Sequence, residues 1–199
     1  ENIPRGIGPG EFLNCWSLQF YLDKVWAFDM QQAKMNAYKI SDFLNKKNIS
    51  PVNSIKFNSG APTSVAVLPD NSFLCSDLTD SENLVTHFDT LGNKDNKYQV
   101  GYPEVSINNI PENLKKRFWE NRIYYNHYNN KIVIFYTYSD LIDIYNSDMK
   151  LMHRIQGPDN FIPILGNRKV ENHDFAYIIP EQTKFAYLSV PPSHLGFLW

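Results

Sequence analysis

The stretch Val65-Ala66-Val67-Leu68-Pro69-Asp70-Asn71-Ser72-Phe73-Leu74-Cys75 decides the fold. Two short apolar runs flank a reversal of the chain. Pro fixes φ there, and Asp and Asn hydrogen-bond to their own backbone, so the segment reads as a β-hairpin. The same unit returns as Tyr124–Tyr128, Asn129-Asn130, Lys131–Phe135, and again as Phe175–Ile179, Pro180-Glu181-Gln182, Thr183–Tyr187. A second unit is a strand that closes on an aromatic and an Asp or Asn: Val25–Asp29, Leu84–Asp89 and Leu141–Asn146. The closing residues Asp29, Asp89 and Asn146 lie about 60 and 57 residues apart, in the range of repeat architectures.

Outward from these hairpins, further strands are expected at Met35–Ile40, Tyr98–Tyr102, Leu151–Ile155 and Lys184–Val190. Helical periodicity is confined to Ser41–Lys47 and Glu112–Asn121, the latter preceded by a favourable Pro111. The chain is therefore all-β. Four short strands per repeat make the blade of a β-propeller, and Ile132–Tyr136, apolar on both pleat faces, suits a strand buried between blades. A β-sandwich is the competing architecture, and the four-strand repeat favours the propeller. Blades are expected at about 13–60, 61–105 and 122–158, with the next beginning at 173–199. At this period 199 residues give only about three to four blades, and a six-bladed ring needs roughly 350. An open fan exposes strand edges and blade faces, so further residues or another chain are expected to complete the ring.

Composition narrows the function. Lys and Arg number 19 against 21 Asp and Glu, a net charge of −2, which argues against a nucleic-acid surface. The basic run Lys115-Lys116-Arg117 reads as a solvated face. No apolar run is long enough to span a bilayer as a helix. Cys15 and Cys75 define no disulfide framework or zinc spacing; buried free thiols are expected, a single disulfide being the alternative. The opening Glu1-Asn2-Ile3-Pro4 has no initiator Met or signal-peptide pattern, which suggests a processed or excised chain.

The segment Arg5-Gly6-Ile7-Gly8-Pro9-Gly10-Glu11-Phe12 resembles the GxGPGEF segment of the TolB-like six-bladed propeller proteins of Bacteroidetes. Trp26-Ala27-Phe28-Asp29, Tyr102-Pro103-Glu104 and Tyr128-Asn129-Asn130-Lys131 are similar to further strand endings and links of that family. The resemblance implies a six-bladed propeller in an exported cell-envelope protein, in the periplasm or at the outer-membrane surface, lipid-anchored in its precursor. It implies no catalytic residues. The family's lipobox is not found here, since Cys15 follows Phe12-Leu13-Asn14.

Candidate chemistry is sparse. Gly6, Gly8 and Gly10 are interrupted by Pro9 and lead into a strand, so an inter-blade loop with Phe12 plugged between blades is expected, not a phosphate loop. Asp77, Asp80 and Glu82, with Asn83, share one loop and are the candidate calcium ligands, although their order is not that of an EF-hand. No other cofactor is indicated. Glu171 and His173 share one face of an extended segment, short of the three ligands of a catalytic zinc. Aromatics crowd the hairpin at residues 124–138. Trp119, Tyr124 and Tyr128 are the candidate partner-binding residues, because exposed rings offer a large contact area with a polar tip. The expected function is a non-enzymatic binding or scaffold module for a protein or carbohydrate partner. The alternative is a calcium-dependent, lactonase-like propeller hydrolase, on analogy of fold alone.

Overall fold

The hairpin at Leu68–Ser72 forms because Asn71 adopts a left-handed φ of 62° and Asp70 accepts from the Ser72 amide at 3.0 Å. Asn130, at φ 54°, takes the same left-handed conformation in the corresponding hairpin 59 residues on. The computed structural model describes residues 5–45, 49–80, 82–104, 110–170, 173–179 and 181–187. Among these, four antiparallel sheets follow one another. The first comprises β1 (Cys15–Tyr21), β2 (Lys24–Asp29), β3 (Lys34–Lys39) and β4 (Asn53–Lys56). The second comprises β5 (Pro62–Val67), β6 (Phe73–Asp77), β7 (Thr86–Phe88) and β8 (Lys94–Asp95). The third comprises β9 (Asn121–Asn126), β10 (Lys131–Tyr136), β11 (Leu141–Tyr145) and β12 (Leu151–Gln156), and the fourth pairs β13 (Leu165–Val170) with β14 (His173–Ile178). Strand order equals chain order in every sheet, which is the blade of a propeller.

The blades pack face to face. Trp26, Phe28, Met35 and Ala37 of the first meet Val65, Val67, Phe73 and Phe88 of the second in one buried cluster. Leu74, Leu84 and Ala66 on the opposite face of the second meet Ile123, Ile132 and Ile134 of the third in another. A sheet sandwiched in this way buries both pleat faces, and β2, β6 and β10 are buried almost throughout. The outer strand β12 is exposed along its whole length. First strands lie innermost: β1 touches β5 and β5 touches β9. Two carboxylates lock hairpins from below. Asp29, ending β2, accepts the amides of Leu13 (2.6 Å) and Asn14 (3.2 Å), just ahead of β1. Asp77, ending β6, accepts the amide of Ala61 (2.8 Å), just ahead of β5.

That equivalence corrects the repeat. Asp89 and Asn146 do correspond, each following a third strand and accepting two amides in the next turn. Asp29 ends a second strand, so its counterpart is Asp77 and not Asp89. First strands begin at Cys15, Pro62, Asn121 and Leu165, an uneven spacing produced by connections of different length. Tyr98–Tyr102 forms no strand. Tyr98, Val100 and Tyr102 lie over the second core cluster, and burial of a connection imitates strand alternation. The first helix is α1 (Ile40–Leu44), and the expected three-turn helix is a 3₁₀ turn at Glu112–Leu114 followed by α2 (Lys115–Phe118). Both thiols are free, but Cys15 is exposed and only Cys75 is buried. Residues 184–187 carry no strand, and residues 188–190 lie outside the described residues.

Candidate functional site

A groove of about 200 Å³ runs across the innermost strands of three blades, lined by Trp16, Gln19, Ser64, Arg122, Ile123 and Tyr124 among others. Side chains of neighbouring blades interlock along it. Gln19 on β1 reaches the edge of β5, accepting the Val67 amide at 3.0 Å and donating to the Val65 carbonyl. Ser64 Oγ on β5 accepts the Ile123 amide of β9 at 3.0 Å. Arg122 on β9 extends past β5 to Trp16 on β1, its guanidinium carbon 5.9 Å from the indole centroid. A register shift between Cys15 and Ser17 turns Trp16 out of the β1–β2 pairing, and it stays 46% exposed. Glu120 lies 3.8 Å from the guanidinium. Arg122 sits on an innermost strand and Trp16 two blades away, so nothing in the sequence announces the pair.

At the hairpin end of the same strands is an aromatic cluster. The His127 ring stacks on Tyr21 at 3.7 Å, joining the third blade to the first, and meets Tyr125 at 4.7 Å. Burial alone drives the His127 pKa down to about 4, and its Nδ1 meets no hydrogen-bond partner among the described residues. Tyr128, beside it in the turn, is 79% exposed.

The predicted partner-binding residues thus part company. Tyr128 is exposed in the turn after β9, and Tyr124 lines the groove while its ring packs edge-on against Phe135 at 5.8 Å. Trp119 is a correction. It is 1% exposed, set edge-on to Phe118 and Tyr136 within the second core cluster, because α2 turns its last residues inward. Lys116 turns inward as well: it is buried, with Nζ on the carbonyls of Asn83 and Leu84, and is no solvated face. Burial lowers its pKa to about 8, although the charges of Asp80 and Asp77 pull it upward.

The loop carboxylates do not converge as calcium ligands; among the described residues no three His, Cys, Asp or Glu side chains form a metal cluster. Asp77 gives Oδ1 to Ala61 and Thr79, and Asp80 gives its oxygens to the amides of Glu82 and Asn83, to Thr86 and to Lys94 at 3.0 Å, while Glu82 points to solvent. Burial raises the Asp80 pKa, but the Asn83 amide, Lys94 and Thr86 outweigh it and hold it at about 2. The stability this carboxylate supplies is therefore complete above the unfolded carboxyl value of about 3.9 and fades as pH falls through the folded value. Thermal melts from about pH 6 to pH 2 should show Asp80→Asn less stable at neutral pH and with a shallower acid decline. Equal slopes for the two proteins would refute the assignment.

One constellation of catalytic appearance forms that spacing hides. His87 Nδ1 lies 2.7 Å from Asp95 and its Nε2 lies 3.0 Å from Ser72 Oγ. The serine hydroxyl also lies against the Asp70 carboxylate, so its one proton is shared between two acceptors, Asp70 and the imidazole Nε2 left by Nδ1–H on Asp95. Ser72 and His87 are each 3% exposed, and the network fastens the β5–β6 turn to β7 and β8. The glycine-rich loop is structural too. Only Gly10 of its three glycines has a positive φ, and the loop is pinned by Gln32, Lys34 and Tyr38 donating to the carbonyls of Gly6, Gly8 and Gly10. Phe12 packs on Ala27, Tyr38 and Ile49, on the face of the first blade away from the second, beside an apolar hollow of about 630 Å³ bordered by Leu18 and Phe20. Glu171 and the side chain of His173 lie outside the described residues.

The family model described as TolB-like 6-blade propeller-like matches residues 2–191. No curated protein matches the chain. Among solved structures, a Bacteroides fragilis protein named as exported is similar at 18% identity and a TM-score of 0.49, over 76% of this chain and 40% of its own. Hydrazine synthase of Kuenenia stuttgartiensis is similar at 12% identity and a TM-score of 0.44, over 82% of this chain and 40% of its own. Virginiamycin B lyase of Staphylococcus aureus is similar at 9% identity and a TM-score of 0.43, over 83% and 56%. The chain thus spans about two fifths to little more than half of the structures it resembles. No helix among the described residues is long and apolar enough to cross a membrane.

Proposed function

We propose, from the premise that this chain belongs to the TolB-like 6-blade propeller-like family, that it is a non-enzymatic binding module of an exported cell-envelope protein. Its partner is a protein or a glycan, met at the axial groove and its aromatic rim. The observation that carries this is the pairing of Trp16 with Arg122 over the inner strands, an indole left half-exposed beside a positioned cation. Aromatic faces with polar edges bind sugar rings and partner loops alike. Blades beyond those described, from the same chain or another, complete the ring. An extracytoplasmic site, with a lipid anchor on the precursor, fits the family. The module needs neither nucleic acid nor a cofactor.

The test is a screen of the purified chain against a glycan array and candidate envelope proteins, repeated with Trp16→Ala and Tyr128→Ala. At least one ligand should be retained by the parent and weakened up to about tenfold by Trp16→Ala. Ligands bound equally well by both variants would place the binding surface elsewhere and refute this reading.

A further inference from the structure

The groove has a charge, a shape and occupied edge groups that together specify more than a generic surface. Arg122 is held over Trp16, and its other contacts are a hydrogen bond to the Asn121 carbonyl at 3.4 Å and an ion pair with Glu120 at 3.8 Å. Glu120 stands too far for a close bidentate pair with the guanidinium fork. A planar fork of this kind pairs bidentately with a planar carboxylate, where a lysine would act as a point charge.

The backbone disfavours one class of acidic ligand. A peptide most readily joins a sheet by adding a strand to a free edge. Here Gln19 already takes both the donor and the acceptor at Val67 and Val65 on the β5 edge, and Ser64 takes the Ile123 amide on the β9 edge. At these positions the ladder groups that an added strand would need are already taken. What stays open is a space of about 200 Å³, below the roughly 300 Å³ of drug-sized pockets and suited to one ring. Trp16 supplies the flat apolar wall on which the C–H face of a pyranose can lie.

We infer that the axial groove binds an acidic sugar, a uronate ring stacked on Trp16 with its carboxylate on Arg122. This rests on the binding-module reading and narrows it to one ligand class. No bond is made or broken; the groove recognises and holds the residue, as one unit of a longer acidic polysaccharide or as its terminus.

Calorimetric titration with methyl glucuronide, methyl glucoside and a glutamate oligomer tests it. The glucuronide should bind at least about tenfold tighter than the glucoside, the worth of one charge-assisted pair. Arg122→Met should bring the glucuronide down to the glucoside level, Arg122→Lys should recover part of the difference, and Glu120→Gln should tighten the glucuronide by removing a like charge. Thermal melts confirm that each variant is folded, and Arg122→Lys keeps the comparison valid if Arg122→Met is not. Equal affinity for the two glycosides, or indifference of the glucuronide to Arg122→Met, would overturn the inference. So would tighter binding of the glutamate oligomer, or no sugar binding at all. Glucoside binding that is lost in Trp16→Ala but indifferent to Arg122→Met would overturn the acidic class while leaving the binding module standing.

Discussion

Replacing Arg154 by Ala should cost the third blade about 3–5 kcal/mol, the toll of leaving a buried carboxylate without its counter-charge. Asp143 on β11 is fully buried and receives Arg154 Nε at 2.7 Å and Nη2 at 2.8 Å from the adjacent β12, with the hydroxyls of Tyr136 (2.8 Å) and Tyr145 (3.3 Å) completing its shell. Both phenols are pushed above their ordinary pKa by burial, so they remain neutral donors and cannot replace the lost charge. Arg154 is itself about one-third exposed, and solvent screening puts the loss toward the lower end of the range. Urea unfolding should show a lowered midpoint with an unchanged slope. The double replacement Asp143→Leu with Arg154→Met should be far milder than Arg154→Ala, because no buried charge is then left unpaired. A single variant as stable as the parent would show that the pair contributes nothing.

The second large effect belongs to the interface between the first two blades. Trp26 is fully buried and meets Phe73 of the next blade edge-on at 5.7 Å, and Phe73 in turn meets Phe57 at 5.4 Å. Trp26→Ala should lose about 3–5 kcal/mol through lost transfer energy and the cavity left between blades. Trp26→Phe should lose much less, under about 1.5 kcal/mol. It keeps a ring against Phe73 and removes an indole N–H that meets no acceptor among the described residues. Denaturation followed by far-UV circular dichroism separates the two. A Phe variant as damaged as the Ala variant would mean that the indole N–H is bonded after all.

These interfaces also show why part of the fold was legible in the sequence. Middle strands such as Ile132–Tyr136 advertise themselves, since burial on both faces demands an unbroken apolar run. Outer strands do not. Asn53–Lys56 buries only Ile55, and Lys94–Asp95 is exposed and two residues long, so hydrophobic pattern carries no signal there. Gly166, Asn167, Arg168 and Lys169 give β13 no apolar run in the sequence, and the fourth sheet opens at Leu165, ahead of residue 173. Trp119 misled because a tryptophan in a connection looks available until the helix before it is seen to aim inward. The candidate site was the least legible element. Trp16 and Arg122 meet only when two blades are stacked beside a third, and Ser72, His87 and Asp95 meet only across three paired strands. Proximity of that kind is written in register, not in residue spacing.

The agreement of strand order with chain order in all four sheets has a bearing on how the protein is made. Each blade draws its partners from the segment just synthesised, and Asp29 and Asp77 fasten the foot of a hairpin using amides only a short way upstream. Such neighbour-to-neighbour pairing lets structure form from the amino-terminal side while the remainder is still a thread. The chain can therefore assemble vectorially, one blade templating the face of the next. Kinetic trapping would then be a hazard of the junctions between blades, where Trp26 and Phe73 must find each other, and not of the blades themselves.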